Sequence, residues 1–296
     1  MSQITFSLPE GELMGLGHVG CQGCAAALAM RYVLKALGEK TIVVLPACCW
    51  SVIAGPFPHS ALKVPVLHSA FATGAVAASG VRAMLDVQGD RETTVLAWAG
   101  DGGTFDIGLQ ALSDAAERSE NILYVCYDNE AYMNTGIQRS SVTPFGAWTT
   151  TTPAQTPKLE PKKDIIAIIA AHKIPYAATA TVAYPEDLVK KVQKAKNIRG
   201  TRFIHILAPC PPGWKVPSEL SVTLARLAVK TRLFPLYEVE HGKKYTINLV
   251  PESLPVREYL ELQGRFSHLS EEQIKEIQDA VDAKWEELQR RAAYGV

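Results

Sequence analysis

Between about Gly15 and Cys210 short β-rich runs alternate with helical ones, and that alternation limits the fold more than any other feature of the chain. Residues 24–37 (CAAALAMRYVLKAL) carry helical spacing and stop at Gly38. Residues 41–46 read as a buried strand, 70–85 as an Ala-rich helix and 93–99 as a strand. A turn, Gly100-Asp101-Gly102-Gly103, leads into a helix from about 107 to 118 and then a strand at 122–127. Further on come a helix at 164–171, a strand at 176–182, a helix at 185–196 and a strand at 203–207. The pattern predicts an α/β fold: a doubly wound, mostly parallel sheet with helices on both faces.

Two segments break the rhythm. Residues 128–163 are polar, rich in Thr, Pro and Gly, and without periodicity; a loop that long inside a compact domain is usually functional. The tail from Glu219 carries weaker signals and ends in an amphipathic helix over about 270–293, expected to pack on its own domain. The expected division is a cofactor-binding α/β domain over 1–218 and a C-terminal extension over 219–296, resting on that domain or on a partner subunit.

With Lys+Arg 30 against Asp+Glu 30, the electrostatic case for nucleic acid or an anionic membrane as main partner is absent. Apolar stretches such as 71–78 are broken well short of a membrane span, and the N-terminus lacks the pattern of a signal peptide. A soluble cytoplasmic protein is expected. Six cysteines in 296 residues are too few for a disulfide scaffold, and in a reducing compartment clustered cysteines bind metal or do redox chemistry.

The segment WAGDGGTFDIG follows an apolar strand and opens a helix, where glycines let backbone approach a phosphate and the helix N-terminus offers free N–H groups. An Asp among those glycines would repel a bare phosphate. It makes sense where the carboxylate holds a divalent cation that bridges to a diphosphate. After one helix and one strand, Asn129 lies just past the next strand end, where a βαβ unit returns it to the same edge. A side-chain oxygen there, with a backbone carbonyl such as that of Ala131, would complete the protein's share of a Mg²⁺ shell.

Cys21 and Cys24 form a Cys-x-x-Cys at the start of a helix, a spacing shared by structural zinc, redox dithiols and iron–sulfur ligands. No second Cys-x-x-Cys exists. Cys48 or Cys49, and Cys210, lie at carboxyl ends of predicted strands, the edge of the Mg²⁺ site; four thiolates converging there fit a [4Fe–4S] cluster. Cys126 lies mid-strand and is read as a buried core residue.

The string GDGGTFDIGLQALSDAAERSENILYVCYDNEAYMNTGIQRSSVTPFGAW resembles the β subunit of the pyruvate and 2-oxoacid:ferredoxin oxidoreductase family, and the similarity runs from about Gly17 to Trp214. The resemblance implies thiamine diphosphate, Mg²⁺ on Asp101, Asn129 and the Ala131 carbonyl, and a diphosphate lined by Gly100, Gly102, Gly103 and Thr104. Asn134 and Thr135 would face the thiazolium and substrate, although Asn-Thr-Gly is also ordinary turn chemistry. Cys21, Cys24, Cys49 and Cys210 would hold the [4Fe–4S] cluster. Cys48 stands where the family has glycine, so it is either a core residue or a competing ligand. Ala25-Ala26 replaces the family's Gly-Glu. His68, before a helix, is a candidate active-site group beside its reading as a structural histidine.

The resemblance also implies oxidative decarboxylation of a 2-oxo acid to acyl-CoA and CO₂. Pyruvate is favoured; 2-oxoisovalerate, phenylglyoxylate or oxalate are the alternatives. The chain has no further ferredoxin-like cysteine repeats, and the family's catalytic Glu lies on a separate pyrimidine-binding domain. The expected partners are therefore an α subunit carrying that domain, a subunit with ferredoxin-like clusters, and ferredoxin, with coenzyme A as co-substrate. Two other readings are a non-redox thiamine decarboxylase or synthase subunit with structural zinc, and a nucleotide-binding module without catalysis.

Overall fold

The computed structural model describes residues 7–295. Its centre is one eight-stranded sheet in the order β2-β1-β3-β4-β6-β5-β7-β8. The parallel strands are β1 (Thr41–Pro46), β2 (Val66–Ser69), β3 (Thr94–Gly100), β4 (Leu123–Asp128), β5 (Tyr176–Thr181) and β6 (Arg202–Leu207). Strands β7 (Tyr237–Glu240) and β8 (Lys244–Ile247) continue the same sheet antiparallel beyond β5. The central strands β3, β4, β5 and β6 are buried along their whole length, as a sheet covered on both faces requires.

Alternation along the strands divides the core. Leu96, Trp98, Val125 and Tyr127 turn to the face packed by α1 (Ala25–Leu37) and α6 (Pro185–Lys196). Val95, Ala97, Ala99, Tyr124 and Cys126 turn to the face covered by α3 (Gly74–Val87), α4 (Leu109–Glu117) and α5 (Ile165–Ala171). The helices begin and end for local reasons. Helix α1 stops at Gly38, whose φ of 80° suits glycine and whose N–H reaches the Leu34 carbonyl. Helix α6 opens with Pro185 and two acids and closes with Lys194 and Lys196, complementing its dipole.

The strands and helices predicted from periodicity are present, shifted at some ends. The turn after β3 differs: a single π-helical turn, Gly102–Asp106, precedes α4, so the helix expected from 107 begins at Leu109. The short helix α2 (Cys49–Ile53) and the edge strand β2 were not anticipated. After α7 (Pro211–Trp214) and α8 (Ser221–Lys230), a third cluster forms around Trp214, Leu224, Tyr259, Phe266 and Val281. The terminal helix Glu271–Tyr294 is capped by a Ser270–Gln273 box and buries Trp285 and Leu288 in the core beside β8. Among the described residues no helix is long and apolar enough to cross a membrane.

Candidate cofactor site

The carboxyl ends of β1, β3, β4 and β6 meet along one edge. In register, Gly100 pairs with Tyr127 and Asp128 with Leu207, so Asp101, Asn129 and the segment leading to Cys210 leave the sheet side by side. Cys49 follows β1 as the first residue of α2. The sheet thus gathers the residues that the sequence left far apart.

Asn129 lies at the centre of this edge. Its Nδ2 faces Cys49 Sγ at 4.0 Å. The other end of the amide lies 2.9 Å from the Ala131 carbonyl oxygen and 3.0 Å from Asp101 Oδ1. An amide oxygen pointing there meets two further oxygens with no proton between them, whereas the turned-over nitrogen donates to both. A divalent cation among the three oxygens removes that repulsion and favours the oxygen-inward amide. The donor set, a carboxylate, an amide oxygen and a carbonyl, is the hard-oxygen chemistry Mg²⁺ takes.

Asp101 fits the same description. It is buried, accepts a hydrogen bond from Ser140 Oγ at 2.7 Å, and is pushed well above the usual carboxylate range, by burial first and by Asp128 next. Asp128, equally buried, is treated in the opposite way. Burial acts to raise it, but Lys162 Nζ at 2.6 Å and His205 Nε2 at 2.8 Å outweigh that and hold it low. Lys162 also meets Glu130 Oε1 at 2.8 Å, and Arg265 Nη2 meets Glu130 Oε2 at 2.6 Å. One acid of the pair has its countercharges beside it; the other has a neutral side-chain partner, the Ser140 hydroxyl. Ser140, Lys162 and Arg265 went unnoticed in the sequence. Lys162 and Ser140 sit in the aperiodic loop, and nothing around Arg265 marks it.

Gly100, Gly102, Gly103 and Thr104 are all buried, with Thr104 Oγ1 donating to the Gly100 carbonyl at 2.8 Å. The rings of Phe71 and Tyr132 lie directly on the glycines: a Cβ on Gly102 would fall 2.1 Å from the Tyr132 ring. Only bare backbone permits that approach. Asn134 and Thr135 are exposed at the tip of a tight hairpin closed by the Tyr132–Gln138 bridge, and Thr135 Oγ1 donates to Gln138 Oε1 at 2.6 Å. His68 is exposed on the edge strand β2, opposite Leu45. The described contacts join neither the hairpin tip nor His68 to the Asp101–Asn129 group.

The cysteines form a second group against the first. Cys24 caps α1 and its N–H reaches the Cys21 carbonyl at 3.1 Å; Ala25 N then donates to Pro209 O, tying this turn to the Cys210 segment. Gly23 makes the turn possible, with φ 73° and a Cβ position only 2.3 Å from Ser218 O. Burial raises Cys49 to about 12, and Cys210, Cys48, Cys24 and Asp101 add to it. Cys210 is likewise raised to about 12, by burial and then, against a backbone N–H, by Cys24 and Cys21. Cys21 also raises Cys24, so the four sulfurs are near enough for their thiolates to repel, and a cationic cluster would neutralise them. Among the described residues no three His, Cys, Asp or Glu side chains converge at single-ion distance. A [4Fe–4S] cluster binds each thiolate to a different iron and takes a wider set. Cys48 has a local partner of its own: its sulfur accepts from the Ser51 N–H as the cap of α2.

Residues 49–206 match the family of the thiamine pyrophosphate enzyme, C-terminal TPP binding domain. The chain is 52% identical over 297 residues to the ketoisovalerate oxidoreductase subunit VorB of Pyrococcus horikoshii, covering 97% of this chain and 95% of that one. It is 49% identical over 284 residues to the pyruvate synthase subunit PorB of Methanothermobacter marburgensis, covering 95% and 99%. Among solved structures it shares its fold with a 2-oxoglutarate:ferredoxin oxidoreductase from Magnetococcus marinus, at TM-score 0.59 and 20% identity over 76% of this chain and 82% of that one. With a matching domain over half its length and relatives this similar from end to end, the chain belongs to the β-subunit family of the 2-oxoacid:ferredoxin oxidoreductases.

Proposed function

We propose that this chain binds thiamine diphosphate through a Mg²⁺ ion held by Asp101, Asn129 and the Ala131 carbonyl, and a [4Fe–4S] cluster through Cys21, Cys24, Cys49 and Cys210. It does so as the β subunit of a complex that oxidatively decarboxylates a 2-oxo acid to its acyl-CoA. The observation that carries this is the position of one amide: Asn129 faces the cysteine group with its nitrogen and the Asp101–Ala131 oxygens with its other end. An amide in contact with both groups sets the two cofactor sites side by side, and short separation is what electron transfer between them needs.

When bound, thiamine diphosphate supplies the electron sink for CO₂ release and the cluster supplies a one-electron acceptor. The chain's own residues supply the rest. Asp101 contributes the negative charge that holds the cation, and Asp128, paired with Lys162 and His205, stays ionised without competing for it. Gly102 and Gly103, their Cβ positions taken up by the Tyr132 and Phe71 rings, would offer the diphosphate backbone groups alone. We assign the exposed Asn134–Thr135 tip and His68 to the side closed by the α subunit, which would bring the catalytic Glu; a further subunit and ferredoxin would take the electrons. Coenzyme A would take the acyl group, and four reduced thiols suit a cytoplasmic complex.

The near-equal identity to a ketoisovalerate and a pyruvate enzyme, 52% and 49%, supports a substrate class spanning pyruvate and branched-chain 2-oxo acids. The test is viologen reduction by the complex, co-purified anaerobically with its natural partners, given coenzyme A and pyruvate, 2-oxoisovalerate or phenylglyoxylate. Reduction with pyruvate or 2-oxoisovalerate is expected. A brown, thiamine-loaded complex that reduces viologen with none of them would overturn the substrate class, and a colourless one the cluster as well.

A further inference from the structure

The Asn129 side chain and the Ala131 carbonyl must reach the same point although a single residue separates them. That residue, Glu130, is held at φ 68°, in the left-handed region that a residue with a Cβ enters only at a cost. Such a conformation persists where the surroundings over-determine it, and every polar atom of Glu130 is engaged. Its N–H donates to Asp128 Oδ1 at 2.9 Å, and its carbonyl accepts from Thr143 Oγ1 at 2.8 Å. Its carboxylate meets Lys162 at 2.8 Å and Arg265 at 2.6 Å.

Arg265 reaches the site by a second route as well, through Trp214. Its guanidinium also lies over the Trp214 ring, 3.9 Å from the centroid. Trp214 Nε1 donates to the Asn129 carbonyl at 2.9 Å, and its backbone N–H donates to the Cys210 carbonyl at 2.8 Å. Arg265 is 2% exposed and its Nε is fixed by Gln263 Oε1 at 2.9 Å. Its planar guanidinium therefore holds Glu130 through Nη2 and Gln263 through Nε, while its face braces the indole that holds Asn129 from the other side.

We propose that Arg265, from the C-terminal segment, is a positioning residue for the cation site, fixing the 129–131 backbone through Glu130 and Trp214 so that the Asn129 amide and Ala131 carbonyl meet Asp101. This rests on the cofactor reading above. The assembled complex, stripped with EDTA, is titrated with Mg²⁺ at fixed thiamine diphosphate, and cofactor binding is followed by tryptophan fluorescence. Melting of the stripped complexes reports folding separately.

Arg265→Met should raise the half-saturating Mg²⁺ concentration at least about tenfold, the scale on which residues behind a metal's ligands act. Arg265→Lys, which keeps the charge but not the planar guanidinium, should shift it less. Arg232→Met is the control: Arg232 pairs with Asp282 and lies over Trp285, and its described contacts include neither Glu130 nor Trp214. It should leave the Mg²⁺ dependence unchanged. A wild-type curve for Arg265→Met, or an equal shift for Arg232→Met, overturns the positioning role alone. A wild-type complex that shows no Mg²⁺-dependent thiamine binding overturns the cofactor reading and this proposal with it.

Discussion

The side-chain amide of Asn129 stands 3.0 Å from Oδ1 of Asp101, across the ends of two neighbouring strands. Without a cation that contact is a compromise, because Asp101 is buried beside a second carboxylate, Asp128, and is raised by both facts. Neutralising it should relieve the protein and ruin the site. Asp101→Asn is expected to melt no lower than the wild type once both are stripped of metal, while Mg²⁺-dependent binding of thiamine diphosphate falls more than about a hundredfold, beyond the range for residues one layer out. Calorimetric titration and melting curves check the two halves separately. A metal-free variant that melts several degrees lower would make Asp101 a structural group.

The sequence disclosed the part of this site that rests on period and punctuation. Apolar runs of strand length, and glycines around a single Asp, located β3, β4 and the turn between them. Hidden was whatever depends on contacts between distant segments. Arg265 is one arginine among many until the fold sets it on Trp214 and Glu130, and Asp128 and Asp101 look alike until Lys162 is seen to serve one of them. Strand β2 was missed because it is a short edge strand whose burial does not alternate cleanly. Strands β7 and β8 gave only weak signals, since four residues each, carrying Glu and Lys, show little period.

The cysteines make a prediction by exclusion. Cys48 Sγ caps α2, a duty serine performs at least as well, and Cys126 is buried mid-strand on the face away from α1. Cys48→Ser and Cys126→Ala should therefore retain about four iron atoms per chain, the content of one [4Fe–4S] cluster. Cys24→Ser, Cys49→Ser and Cys210→Ser should each lose most of the iron and the visible absorption. Loss of iron from Cys48→Ser, with Cys49→Ser still brown, would move the third ligand by one residue.

Two glycines separate packing from propensity. A Cβ on Gly108 would lie 1.9 Å from the Gly103 carbonyl, backbone of the π-helical turn that follows β3. Gly108→Ala should destabilise by about 3 kcal/mol, the upper end of what overpacking costs. Gly80, in the middle of α3, has nothing within 4 Å of its Cβ position, so Gly80→Ala should stabilise by about 0.5–1 kcal/mol. Denaturant unfolding measures both, and equal effects would mean that the turn is free to move.

Lys158 supplies a test that leaves the cofactors aside. It is buried in the long loop, with Nζ donating to the Glu160 and Pro161 carbonyls at 2.5 and 3.1 Å. Burial first, and Arg139 next, hold it near 8 instead of the usual 10.5. The unfolded chain then binds more protons than the folded one between those values, so stability must rise with pH across that window. Below about 8 the charged amine is carried at a cost in the folded state. Lys158→Met removes the titration. Melting temperatures of the two proteins compared from pH 7 to 10 should show the variant ahead at the low end and the wild type closing the gap as pH rises. A gap that stays constant would mean that the two carbonyls fully compensate the buried ammonium.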